Sequence, residues 1–418
     1  MAARVKRVLL ISNGHGEDLS GAALGQALQR RGVEVEALPL VGRGEAYRRA
    51  GLPVCGPTRD FSTGGLGYTS LRGRLTELWQ GQLVYLLGRV RAAWQRRRHV
   101  ESVLVVGDVL PLLAGWLTGR PMAVYLVAYS SHYEGSLRLP WPCGWLLRRP
   151  SVRWLWTRDA LTARDLTRQL RRPATFAGNP FLDGQTRGTP LPPGAGPGLT
   201  LGLLPGSRLP EALHNLLVLL EVLGHLPPEW QRRLRLLAAL VPSLSVEAIA
   251  TAATPLGWTL FPPSAGADVA QLRRGPLRLE LTHHHFWGVL AASDLLLAMA
   301  GTAAEQAVAL GKPVLQVAGP GPQFTEGFAD AQRRLLGPAV SCASGPMGAP
   351  ATLRETARMA AAQLERLADP AEGPRWRAHL RQEALERLGQ PGGTERMVEA
   401  IMAGMPLPSG SAHDPPSR

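Results

Sequence analysis

The chain has 418 residues, 45% of them hydrophobic and 19% charged. That balance excludes wholesale disorder, and the length exceeds one hydrophobic core, so two domains are expected. The net charge is +14, and the whole excess lies in residues 1–190, while residues 191–418 hold equal numbers of basic and acidic side chains.

In chain order, Val5–Ser12 reads as a strand. Its apolar run is too short for a signal peptide, because Ser12-Asn13-Gly14-His15 follows at once. A helix is expected from about Glu17 to Arg31, with Leu19, Ala22, Ala23 and Leu28 at helical spacing, and a second strand over Val33–Leu40. Ser102–Gly107 and Met122–Ala128 are continuous apolar runs, as strands buried on both faces of a parallel sheet require. The apolar stretch from Val103 to Leu117 is broken by Asp108 and Pro111, and a spanning helix needs ~20 residues. The protein is therefore expected in the cytosol or on a membrane surface.

Residues 186–198 are rich in proline and glycine, the composition of a linker. The alternation then restarts, with strand Leu199–Leu204, a helix from about Glu211 to Leu226 and strand Leu234–Val241. Strands Asp294–Met299 and Pro313–Val317 flank a helix over Thr302–Leu310. The strand–helix rhythm predicts two Rossmann-like, doubly wound parallel-sheet domains, residues 1–185 and 199–374, facing a cleft. Residues 375–404 read as helices able to cross back to the N-terminal domain, and 405–418 as a disordered tail.

Ligands of open α/β sheets bind beyond the carboxyl ends of the strands, which directs attention to four loops. In the first, Gly14 and Gly16 let a ligand approach the backbone, and the helix start invites an anion or a polar sugar. His15 there is a candidate acid or base; the plainer alternative is a tight turn with Asp18 near a helix start. The loop is neither a dinucleotide fingerprint, since Leu19 stands where glycine is required, nor a P-loop. In the second, Asp108 follows a buried run and is either a general base of raised basicity or a helix N-cap. In the third, Gly206, Ser207 and Arg208 precede a helix opening at Glu211, and Arg208 either forks onto a diphosphate or is a solvated turn arginine. In the fourth, Gly301 and Thr302 begin a helix, with Thr302 either capping it or hydrogen-bonding a phosphate oxygen, and Glu305 or Gln306 is placed on it to bind ribose hydroxyls. His283-His284-His285 is discounted as a metal site, because consecutive residues on regular backbone cannot all face one ion. The three cysteines lie far apart and suggest neither a disulfide framework nor a metal site. Arg96-Arg97-Arg98 reads as a solvated helix end, and no nucleic-acid reader module appears.

Seven of the 11 tryptophans fall between Trp79 and Trp156, inside the basic half, which suggests that this half meets an anionic surface.

Leu204–Glu211 contains a complete L-P-G-S-R-x-x-E, Gly178–Asp183 is similar to G-H-P-x-x-D with Asn179 in place of histidine, and Asp18–Ala22 fits D-x-x-G-A. With Ala300–Gln306, similar to S-G-T-x-x-x-E, these motifs resemble lipid-A-disaccharide synthase and its relatives, a family of GT-B glycosyltransferases. The first loop departs from that family and resembles the glycine–histidine loop of the peptidoglycan glucosaminyltransferase. The family's catalytic aspartate follows a proline, whereas Leu112 follows Pro111 here, leaving Asp108 as the nearby carboxylate. Gln306 stands at the ribose-binding glutamate, with Glu305 one residue early. The resemblance implies an inverting, metal-independent enzyme without cofactor, peripheral on the inner face of the membrane. It would move a sugar from a UDP-sugar, held by the C-terminal domain at Arg208, Gly301 and Thr302, to a lipid acceptor held by the N-terminal domain. Asn179 and Asp18 enter the substrate site by the same matches. A UDP-sugar 2-epimerase and a non-catalytic nucleotide-sugar-binding protein are the alternatives.

Overall fold

The computed structural model describes residues 6–56, 58–59, 82–187, 191, 198–261, 269–317, 326–346 and 348–404. Trp79, most of the proline- and glycine-rich 186–198 stretch and the 405–418 tail lie outside these residues. The chain divides into two compact units, Met1–Asp183 with Gln390–Arg418, and Gly184–Gly389.

The first unit holds a five-stranded, all-parallel sheet. Its strands are β1 (Arg7–Ser12), β2 (Glu34–Pro39), β3 (Ser102–Val106), β4 (Met122–Leu126) and β5 (Val152–Thr157), in the order β2-β1-β3-β4-β5. Both faces are covered, so β1, β3 and β4 are almost wholly apolar and buried. The chain leaves β1 toward β2 and returns on its other side to β3, so the order reverses between β1 and β3, whose pairing runs from Val8↔Ser102 to Ser12↔Val106. That reversal opens a crevice at the carboxyl ends of the two strands.

The second unit repeats the scheme with additions. Its strands are β6 (Thr200–Leu204), β7 (Arg235–Ala239), β8 (Thr259–Phe261), β9 (Ala270–Arg274), β10 (Leu277–Thr282), β11 (Leu295–Ala298), β12 (Val314–Gln316) and β13 (Val340–Cys342). They form one sheet in the order β13-β12-β11-β6-β7-β10-β9-β8. Here the reversal falls between β6 and β11. The sheet is not wholly parallel: β9 runs antiparallel to both β8 and β10, an extension that the apolar-run pattern did not predict. Arginines at Arg273, Arg274 and Arg278 interrupt its hydrophobic pattern, and Gly275, at φ 55°, makes the turn.

The C-terminal helical stretch is two helices. Glu372–Leu388 belongs to the second unit, Gly389 at φ 75° breaks it, and Gly393–Gly404 packs in the first unit on the helix His15–Arg30. The Gly178–Asp183 motif explains that packing. Asp183 accepts the backbone N–H of Thr394 at 2.7 Å and that of Gly392, and so caps the last helix. Gly178, at φ 91°, lies so close to the Gln390 carbonyl that a Cβ would stand 2.8 Å from it.

Candidate functional site

Both order reversals carry the residues singled out from the sequence, and the two sets differ in charge. In the first unit, Asp108 caps the helix Val109–Leu117 through Oδ1, which accepts the Leu110 N–H at 2.8 Å, and its Oδ2 accepts from Asn13 Nδ2 at 2.8 Å. The cap reading therefore holds, and the carboxylate still faces a partner on the neighbouring strand end. Asn13 also donates its backbone N–H to Glu17 Oε2 at 3.0 Å. Glu17, in the first turn of the first helix, was not singled out from sequence. Its carboxylate lies over Gly107, where a Cβ would stand 2.9 Å from Oε2; with φ at 137° as well, only glycine fits. Burial, with Asp108 and Asp18 close by, holds the Glu17 carboxyl well above its ordinary range, and burial also raises that of Asp108. A carboxylate of raised basicity at a strand's carboxyl end is what a general base requires.

Asp18, expected from sequence as a substrate contact, is an interior residue. It is 2% exposed and accepts from Ser12 Oγ at 2.6 Å, while the Tyr47 hydroxyl donates to Ser12 Oγ at 2.6 Å. Tyr47 approaches the helix so closely that a side chain at Gly21 would collide with its hydroxyl, which accounts for the glycine of the D-x-x-G-A motif. This chain of hydrogen bonds ties helix, strand and the Tyr47 segment together inside the unit. Asn179 is likewise interior: it is fully buried, donates to the Arg158 carbonyl at 3.0 Å and accepts from the Tyr125 hydroxyl at 2.5 Å. Both side chains are buried and hydrogen-bonded inside the unit. Gly14 and Gly16 are half-exposed at the loop, His15 opens the helix, and the side chain of His15 lies outside the described part.

Burial pushes the Asp18 carboxyl up to about 7 from an ordinary value of 3.8. A group that binds its proton more tightly when folded stabilises the fold most below its unfolded pKa, and that contribution is lost as pH rises through about 7. Asp18→Asn carries no proton to lose. Its stability should gain steadily on that of the native protein between about pH 4 and pH 8, by on the order of a few kcal/mol at the alkaline end, read as a rising difference in melting temperature. A difference in melting temperature that does not change with pH would contradict this role.

In the second unit, the loops after β6 and β11 emerge side by side, since Leu204 pairs with Ala298. Gly206, at φ 101°, passes close enough to the Met299 carbonyl that a Cβ would lie 3.2 Å from it. Asn215 Nδ2 holds the Pro205 carbonyl at 2.8 Å and fixes the turn. Ser207 is exposed, and Arg208 and Glu211 are half-buried. The helices Glu211–Gly224 and Thr302–Ala309 both start at this edge, and neither has a side-chain cap. Gly301 occupies the cap position of the second, so Thr302 is its first residue rather than its cap. Two uncapped helix starts beside an arginine can receive an anion on backbone N–H groups. Glu305 and Gln306, one turn along, are each 8% exposed.

No family model and no curated protein matches the chain. Solved structures do match. A putative UDP-N-acetylglucosamine 2-epimerase from Listeria monocytogenes aligns over 96% of this chain and 96% of its own, at a TM-score of 0.55 and 15% identity. CalG4, the calicheamicin glycosyltransferase, aligns over 96% and 98%, at 0.57 and 18%. MurG of Acinetobacter baumannii aligns over 95% and 99%, at 0.53 and 16%. The fold is GT-B. At these identities the likeness speaks for the fold alone, and the chemistry of this GT-B chain has to be argued from its own residues.

The first GT-B unit also carries an unusual outer face. On the helix Gln82–Arg96, Val84, Leu87 and Trp94 are 75%, 60% and 47% exposed, and Leu87, Val90, Arg91 and Trp94 line a shallow depression with Leu117. Trp116 meets Trp145 edge-on at 5.3 Å, Arg97 covers Trp94 and Arg149 covers Trp145. Trp141, nearby in sequence, is 90% exposed. No helix among the described residues is long and apolar enough to cross a membrane.

Proposed function

We propose that the protein is an inverting glycosyltransferase that moves a sugar from a UDP-sugar to a lipid acceptor at the cytoplasmic face of a membrane, in the manner of lipid-A-disaccharide synthase. The observation that carries this reading is the chemical difference between the two strand-order reversals: carboxylates at the first, and Arg208 with two uncapped helix starts at the second. The second unit would hold UDP, with the diphosphate on Ser207, Arg208, Gly301 and Thr302 and the ribose near Glu305 and Gln306. In the first unit Asp108, or His15, would take the proton of the acceptor hydroxyl as its oxygen attacks the anomeric carbon from the face opposite the departing phosphate. The negative charge that grows on UDP would be met by the guanidinium and the helix N–H groups.

Incubation with UDP-sugars and total membrane lipid, followed by mass spectrometry, tests the reaction. A lipid heavier by one sugar residue, with release of UDP, is expected. A UDP-sugar isomerised without any lipid product would favour the epimerase reading, which the Listeria neighbour supports at the level of fold.

Peripheral attachment is proposed for the tryptophan–arginine face. Tryptophan suits the interfacial layer, and each basic residue near an anionic surface adds ~1 kcal/mol. Cosedimentation with vesicles containing phosphatidylglycerol should be strong at low salt and weaken as salt rises. The double variant Leu87→Ser, Trp94→Ser should lose most of it. Equal sedimentation with purely zwitterionic vesicles, or with the double variant, would contradict the proposal.

A further inference from the structure

Between the carboxyl ends of β1 and β3, the hydrogen-bonding groups are unbalanced. Asn13 is 8% exposed and uses both of its donor groups inward, Nδ2 on Asp108 and the backbone N–H on Glu17. Its Oδ1 is buried and accepts from nothing among the described residues. A buried acceptor left without a donor costs about 1–3 kcal/mol, and turning the amide round would only set its oxygen against that of Asp108. The carboxylates of Glu17 and Asp108 beside it are acceptors as well. Of the trio's acceptors, Asn13 Oδ1 is the one without a donor among the described residues.

We propose that Asn13, Glu17 and Asp108 form a subsite for neighbouring hydroxyl groups of an uncharged sugar or polyol on the acceptor, and not for a phosphate. The inference rests on the reading of the first unit as the acceptor-binding one, and it adds the chemistry of what is bound there. A glycine-rich loop opening a helix ordinarily invites an anion. Here the acidic side chains of Glu17 and Asp108 stand in that place and offer an anion no positive charge. One hydroxyl would donate to Asn13 Oδ1 and its neighbour to Asp108, which is also the geometry that presents a hydroxyl proton to a base. Gly107 is part of the same device, since any side chain there would displace the Glu17 carboxylate.

Saturation-transfer NMR on the full chain, with methyl glucoside, inorganic phosphate and ethanolamine as probes, separates the possibilities. Methyl glucoside should bind, and its affinity should fall at least tenfold in Asn13→Ala and in Glu17→Gln, with UDP affinity unchanged in the same samples. Glu17→Gln keeps the side-chain shape, and melting curves identify a misfolded Asn13→Ala. The proposal is overturned if folded native protein does not bind the glucoside, if both variants bind it equally well, or if phosphate or ethanolamine takes its place. Glucoside binding without UDP binding would sink the donor reading and leave the subsite standing.

Discussion

Asp108→Asn is expected to lower sugar transfer by ~10²–10⁴-fold, the usual contribution of a positioned general base, while UDP affinity stays at the native level. The substitution isolates the proton transfer. Asparagine is as good an N-cap as aspartate, so the hydrogen bond from Leu110 N–H and the start of the helix Val109–Leu117 are retained. What is lost is the basicity that burial gives this carboxyl. Single-turnover kinetics with a saturating UDP-sugar measures the effect directly. A variant that transfers at the native rate would remove Asp108 from the chemistry and leave His15 as the base.

Arg208→Ala addresses the other half of the reaction. Charge-assisted hydrogen bonds are worth about 1.5–3 kcal/mol each, so UDP affinity should fall about ten- to a hundredfold, as read by calorimetry in the presence of chelator. Arg208→Lys should recover part of it, because lysine restores the charge but not the two-pronged geometry. Affinity unchanged in Arg208→Ala would mean that the diphosphate is not bound on the loop after β6.

The large features of the fold were legible because parallel strands buried on both faces must be continuous apolar runs. β1, β3, β4, β6 and β11 announced themselves in that way, with ends within one or two residues of those observed. The β8–β9–β10 extension was not legible, since arginines alternate through it and its identity as sheet comes from pairing with β7. The loops that follow strands were found for the same reason as the strands, yet the roles of individual residues depended on distant partners. Glu17 acquires its meaning from Gly107 and Asp108, 90 and 91 positions away, and no local pattern could pair them. Tyr47, which turns Asp18 into an interior residue, carries no motif at all. The Gly178–Asp183 motif was visible as a motif, but Asp183 proves to cap a helix that starts at Gly393. In each case spacing located the position, and tertiary adjacency decided between ligand contact and structural tie.

The central claim is that a uridine diphosphate is held where β6 and β11 end. A crystal structure of the protein with UDP tests it most directly. The diphosphate is predicted against the starts of the helices Glu211–Gly224 and Thr302–Ala309, with the Arg208 guanidinium on its oxygens. Diphosphate density on the Asn13–Asp18 loop of the first unit instead, with the β6 and β11 loops empty, would contradict both the donor assignment and the division of chemistry between the two sheets.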